Sequence, residues 1–136
     1  MREILFRAKE TFSGDWVEGY YEFGYDAETE EPTHYMCVLN HAEKYGEMFM
    51  VIPETVGQFT GLADRNGKKI FEGDIVKAQD NLITSPFCDG IIGKIVYDEC
   101  AYFIEPKNPM DSQWLFNECA EYEVIGNIHD NPELLS

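Results

Sequence analysis

The chain has 136 residues, with 26 acidic against 10 basic side chains, a formal charge of −16, and is 44% hydrophobic and 14% aromatic. That aromatic content excludes a disordered acidic tail, and the length suits one domain that buries roughly two-thirds of its unfolded surface. No apolar run approaches the roughly 20 residues of a spanning helix, and Arg2, Glu3 and Arg7 interrupt the start before a signal-peptide core can form, so a cytoplasmic protein with no membrane partner is expected.

Strand patterns dominate the chain order. Glu3 to Lys9 reads as extended, with Ile4, Phe6 and Ala8 on one side. Ser13-Gly14-Asp15 supplies a turn, and Trp16 to Phe23 alternates again, with Val17, Tyr21 and Phe23 on one face and Trp16, Glu18, Tyr20 and Glu22 on the other. The two runs predict a hairpin. Tyr25 to Pro32 reads as an acidic surface loop, because clustered like charges gain nothing from burial. Thr33 to Leu39 and Glu47 to Ile52 predict a third and fourth strand, separated by Asn40 to Gly46 as a polar loop or one helical turn.

Pro53 removes a ladder donor and stops the fourth strand, and the segment to Phe59 has room for a helical turn. Asp64-Arg65-Asn66-Gly67 predicts a tight hairpin turn, since Asn-Gly accepts positive backbone dihedrals. Glu72-Gly73-Asp74 places a bend ahead of the apolar strand at Ile75 and Val76. Residues 79–90 read as a long loop, followed by short strands at Ile91 to Tyr97, Ala101 to Glu105 and Tyr122 to Ile128. Pro109 opens a brief helix carrying Trp114, Leu115 and Phe116. At the C-terminus Asn131 reads as a helix cap, Pro132 as the first position and Glu133 as the acid near the positive end. The fold class is therefore mainly β. Its C-terminal half is expected to form a short-stranded, SH3-like barrel with the N-terminal strands beside it. One domain over 1–136 is expected, in two lobes of 1–52 and 60–136.

Candidate chemistry is sparse. Cys37, Cys88, Cys100 and Cys119 lack the two-residue spacing of a zinc knuckle or redox site, and are expected to be small buried apolar residues. His34, Cys37 and His41 form the nearest approach to a metal pattern, but strand alternation sends His34 and Cys37 to opposite faces. Gly61 to Gly67 followed by Lys68 resembles a phosphate cradle only superficially, because Lys69 stands where Ser or Thr is required. Ser13, Ser85, Ser112 and Ser136 lie in no nucleophile elbow. With 26 acids, close carboxylate pairs arise by chance. Glu54 and Asp74 each have a local role available, one at the turn after Pro53 and one on backbone near Gly73. No catalytic residue, cofactor or metal is assigned.

Charge narrows the partners. Residues 1–60 hold 12 acids and 4 bases (net −8), residues 61–80 hold four of each, and residues 81–136 hold 10 acids and 2 bases (net −8). Direct nucleic-acid binding is disfavoured, because its affinity comes from Lys and Arg on phosphates. A basic protein partner is compatible.

Five blocks then carry a resemblance: Met1 to Arg7, Trp16 to Tyr20, Val51 to Leu62, Asp64 to Val76 and Tyr122 to Leu135. In these the chain resembles the YopX family of bacteriophage and prophage proteins. The matching positions include Pro53, Glu54, Gly57, Phe59, Gly61, Gly67, Gly73, Asp74, Gly126, Asn127, Asn131 and Pro132. The resemblance implies a phage-type protein of the bacterial host cytoplasm that assembles with copies of itself, and it brings no catalytic residue set. The expected function is a non-enzymatic, homo-oligomeric interaction or assembly module, with Trp16, Tyr20, Tyr21, Phe59 and Trp114 as aromatics for interface or core. The alternative is an acidic nucleic-acid mimic that inhibits a basic host protein.

Overall fold

A computed structural model describes residues 2–40, 45–80, 90–116 and 120–136. The chain divides into two compact units, Met1–Phe59 and Thr60–Ser136. The mainly β expectation is borne out: the described residues form strands joined by turns and three single-turn 3-10 helices.

In the first unit β1 (Phe6–Lys9), β2 (Trp16–Tyr25), β3 (Pro32–Asn40) and β4 (Tyr45–Met50) form an antiparallel meander in sequence order. Alternation places Ala8 and Met36, both fully buried, on one face, where Phe6, Val17, Tyr21, Val38 and Phe49 pack around them and Val51. The register Tyr20↔Cys37↔Met48 puts that row on the opposite face. His34, opposite Phe23, lies on the core side, so alternation separates it from Cys37; His41 falls outside the described residues. Gly19 permits the close approach of β2 and β3, since a Cβ there would lie 2.2 Å from the Cys37 carbonyl oxygen. The acidic loop is held by Asp26, whose Oδ1 accepts the Glu28 and Thr29 N–H groups at 2.9 Å each. Those bonds hold its carboxyl below the usual value.

After β4 comes a 3-10 turn, Pro53–Thr55. Thr55 closes it against β1: its Oγ1 accepts the Lys9 N–H at 2.9 Å and donates to the Ile52 carbonyl at 2.6 Å. The helical expectation stops there. β5 (Gly57–Ala63) begins at once, and its first residues pair with β1 through Gln58↔Phe6 and Gly57↔Arg7. Backbone pairing on an available strand outweighs the helix propensity of so short a segment.

In the second unit the later part of β5 neighbours β6 (Lys69–Phe71) across the Asp64–Gly67 turn. A five-stranded antiparallel sheet follows. It contains β7 (Asp74–Asp80), β8 (Ile91–Asp98), β9 (Ala101–Glu105), β10 (Gln113–Trp114) and β11 (Ala120–Asn127), in the order β10-β9-β8-β7-β11. Its core gathers Ile70, Val76, Ala78, Ile95, Ile104, Leu115 and Tyr122.

The expected SH3-like barrel does not close. The sheet is open, ending at β10 and β11, and β10 is two residues long, too short to supply the staggered closing ladder that a barrel needs. Two local expectations are also corrected. Trp114 stands on β10 rather than on a helix, because the 3-10 turn opened by Pro109 ends at Asp111. Cys100 is exposed rather than buried. It shares with Glu99 the two-residue turn between β8 and β9, where φ is 48° at Glu99 and 63° at Cys100. Cys88, Cys119 and most of the expected loop at 79–90 lie outside the described residues.

Gly73 makes the bend between β6 and β7 with φ of 85°, donating its N–H to the Ile95 carbonyl and accepting from Ile128 N–H, both at 2.9 Å. A β-branched residue is strained in that region. Gly73→Val is therefore expected to cost about 2 kcal/mol, whereas Glu28→Ala on the exposed acidic loop should stay within about 0.5 kcal/mol of wild type. Urea unfolding of the two variants checks this, and equal midpoints would remove the bend from the account.

Candidate functional site

The matching positions do not converge on one site. Pro53 and Glu54 are exposed on the 3-10 turn of the first unit. Gly57 and Phe59 are buried in β5. Within the second unit Gly61 and Gly67 hold positive φ of 91° and 82°. The remaining six gather at one end of the five-stranded sheet.

At that end Asp74 pairs with Asn127 across β7 and β11. The Asp74 carboxylate, 1% exposed, accepts the Phe71 N–H at 2.8 Å and so bridges the bend at Gly73. Asn127 Oδ1 accepts the His129 and Asp130 N–H groups, closing the turn after β11. Asn131 sits at the head of the 3-10 turn Pro132–Leu135 without capping it by its side chain. Its Oδ1 instead accepts the Asn127 N–H at 3.3 Å, and it fills the place where a Cβ on Gly126 would meet it at 2.6 Å. These residues tie turns together.

Asp64, whose sequence context shows only a turn, uses both of its oxygens as backbone acceptors. Oδ1 accepts the Asn66 and Lys68 N–H groups at 2.9 Å each, and Oδ2 accepts the Val124 N–H at 3.0 Å. Burial, at 8% exposure, acts to raise its carboxyl, but the bonds from Val124, Lys68 and Asn66 and the charge of Lys68 outweigh that and hold it below the ordinary carboxylate value. The first two acceptor bonds belong to any Asx-type turn. The third is a contact across 60 positions, which no local pattern announces.

The second unit also presents chemistry on the outer face of its sheet. The register Val96↔Phe103↔Trp114 places three apolar side chains in one row over β8, β9 and β10. Trp114 is 61% exposed, and its ring lies 4.9 Å from that of Phe103. Farther across the same sheet Arg65 approaches Glu123 at 3.5 Å beside a shallow cavity of about 140 Å³ that Lys77 and Glu121 also line. Among the described residues no group of three or more His, Cys, Asp or Glu side chains is placed to hold a metal ion, and no helix is long and apolar enough to cross a membrane.

Because the folded carboxyl of Asp64 is held low, its ionised form stabilises the fold above the unfolded value of about 3.9, and this contribution is lost as pH falls through the folded value. Asp64→Asn should therefore cost about 1–3 kcal/mol at neutral pH, with the gap to wild type narrowing below about pH 4. Denaturant melts at pH 7 and in the acid range check the sign. A gap that widens on acidification would contradict it.

Comparison with solved structures finds the same fold in other proteins, among them the following two. Protein EF1440 from Enterococcus faecalis superposes with a TM-score of 0.52 at 23% identity, with 100% of each chain covered. Protein yopX from Bacillus subtilis superposes with a TM-score of 0.55 at 16% identity, again over 100% of both chains. A search of curated proteins returned no match. At the level of families, residues 5–136 match the family described as YopX protein. With its motif positions accounted for as turns and backbone acceptors of a shared fold, the chain belongs to the YopX family.

Proposed function

We propose that this chain is a non-enzymatic protein-interaction module of phage or prophage origin, working in the bacterial cytoplasm as a homo-oligomer. The observation that carries the interaction-module part of this reading is the exposed aromatic row on the second unit's sheet, where Trp114 is 61% exposed on a strand instead of in a flexible loop. Large aromatics left accessible on a rigid element are the usual anchors of protein interfaces. The buried carboxylates of the central block support the same reading. Asp74 and, nearby in sequence, Asp64 are occupied by backbone N–H groups, which suits architecture better than proton transfer.

The alternative, an acidic mimic of nucleic acid, draws on the charge of −16. It is less well supported on the second unit's outer face, where Arg65 and Lys94 are interspersed with Glu123 and Glu105. A mimic needs an unbroken anionic line.

Multi-angle light scattering at micromolar concentration is expected to give a mass that is a multiple of the 15.7 kDa chain. A clean monomer would overturn the homo-oligomer.

A further inference from the structure

We propose that the outer face of β8, β9 and β10 is a docking site for an arginine-bearing segment of another protein. The inference rests on the reading of the chain as an interaction module, and not on its assembling with itself. The face contains a cleft of about 320 Å³ with Val96 and Phe103 as its apolar floor, Pro109 at one wall, and the carboxylates of Asp98, Glu99 and Glu105 around it. That volume is at the small end for a ligand pocket and fits one long side chain better than a folded surface. Trp114 extends the floor beyond the cleft, directly beside Phe103.

The chemistry of the lining selects the occupant. Three carboxylates with Lys94 near one of them, 3.7 Å from Glu105, leave the cleft anionic and favour a cation. A guanidinium answers both halves of the site. It donates to carboxylates through a bidentate fork, its flat face stacks on an aromatic ring, and it is less strongly hydrated than an ammonium. Its aliphatic stem covers Val96 and Phe103. A free amino acid would leave Trp114 uncovered. A protein segment brings neighbouring apolar side chains to Trp114 and to Phe116, which is 68% exposed. An acidic or phosphorylated segment is repelled.

The test uses the full chain carrying Trp16→Phe, so that Trp114 is the one remaining tryptophan. Its fluorescence is titrated with a capped peptide bearing a central Arg-Val-Arg, and with the same peptide bearing Glu in place of Arg. The Arg peptide is expected to give a saturable change that weakens with salt, and the Glu peptide none. The paired change Asp98→Asn with Glu99→Gln keeps the turn and should weaken binding about tenfold. Absence of a saturable change, or equal affinity in the paired variant, would overturn the site. Light scattering on the same samples separates the two readings. If the chain is monomeric and still binds the Arg peptide, self-assembly fails and the docking site stands. If the paired variant or Trp114→Ala lowers the assembled mass, this face is covered by a second copy and the docking proposal falls.

Discussion

One carboxylate joins the turn between β5 and β6 to β11. Asp64 spends one oxygen on its own turn and the other on the Val124 N–H, while the neighbouring Arg65 N–H reaches the Tyr122 carbonyl at 2.9 Å. These bonds fix the end of the β5–β6 hairpin against the middle of β11. Tyr122 and Val124, whose backbones they hold, turn their side chains to the core of Ile70, Val76 and Ala78. The burial of apolar area supplies most of the stabilisation. The carboxylate decides which strands share it, since a buried backbone donor left without an acceptor costs about 1–3 kcal/mol. Gly73 and Asp74 serve the same end one strand later. The central sequence block is thus a set of backbone acceptors and bends, which explains why it is specific in sequence and carries no visible catalytic spacing.

Much of the fold was legible because its signals are local. The β1–β2 hairpin follows from the alternation of Phe6, Ala8, Val17 and Tyr21 around a Gly-containing turn, and the Asp64 to Gly67 reversal follows from the positive φ of 82° that Gly67 adopts. The failures are equally physical. β5 was hidden because Val56 to Gly61 has no strong alternation and follows a proline; pairing with its neighbours β1 and β6 makes it a strand. β10 was hidden because two residues carry no period at all, and Pro109 suggested helix. The barrel was an inference from strand lengths, which do not encode whether edge strands meet. Asn131 looked like a cap because caps are recognised by residue type, whereas its side chain turns back to β11.

The exposed aromatic face was half legible. Composition announced an aromatic surplus and two acidic segments flanking a neutral one. It could not say which aromatics leave the core. Phe59 is buried at 8% exposure while Trp114 and Tyr20 stand open at 61% and 51%, and Trp16 lies beneath Arg7, whose guanidinium carbon is 4.7 Å from the ring centre. Register decides this. The residue opposite Phe103 faces away from Ile104, and that residue is Trp114. Bulk charge is similarly redistributed, with Lys94 and Arg65 lying against Glu105 and Glu123 rather than spread evenly.

The turn between β8 and β9 has a consequence for the order of folding. A two-residue hairpin turn with both central residues at positive φ is populated locally by Asn-Gly, but here Glu99 and Cys100 occupy it, at a cost of roughly 1–2 kcal/mol each. Such a turn resists its own closure and makes a poor nucleus. The Ile95–Ile104 pair across β8 and β9 has to offset that cost before the hairpin holds. The Asn66-Gly67 reversal, unstrained and with Asp64 already in reach, is the natural first contact. The β5–β6 reversal is therefore a better starting point for the second unit than the strained turn between β8 and β9.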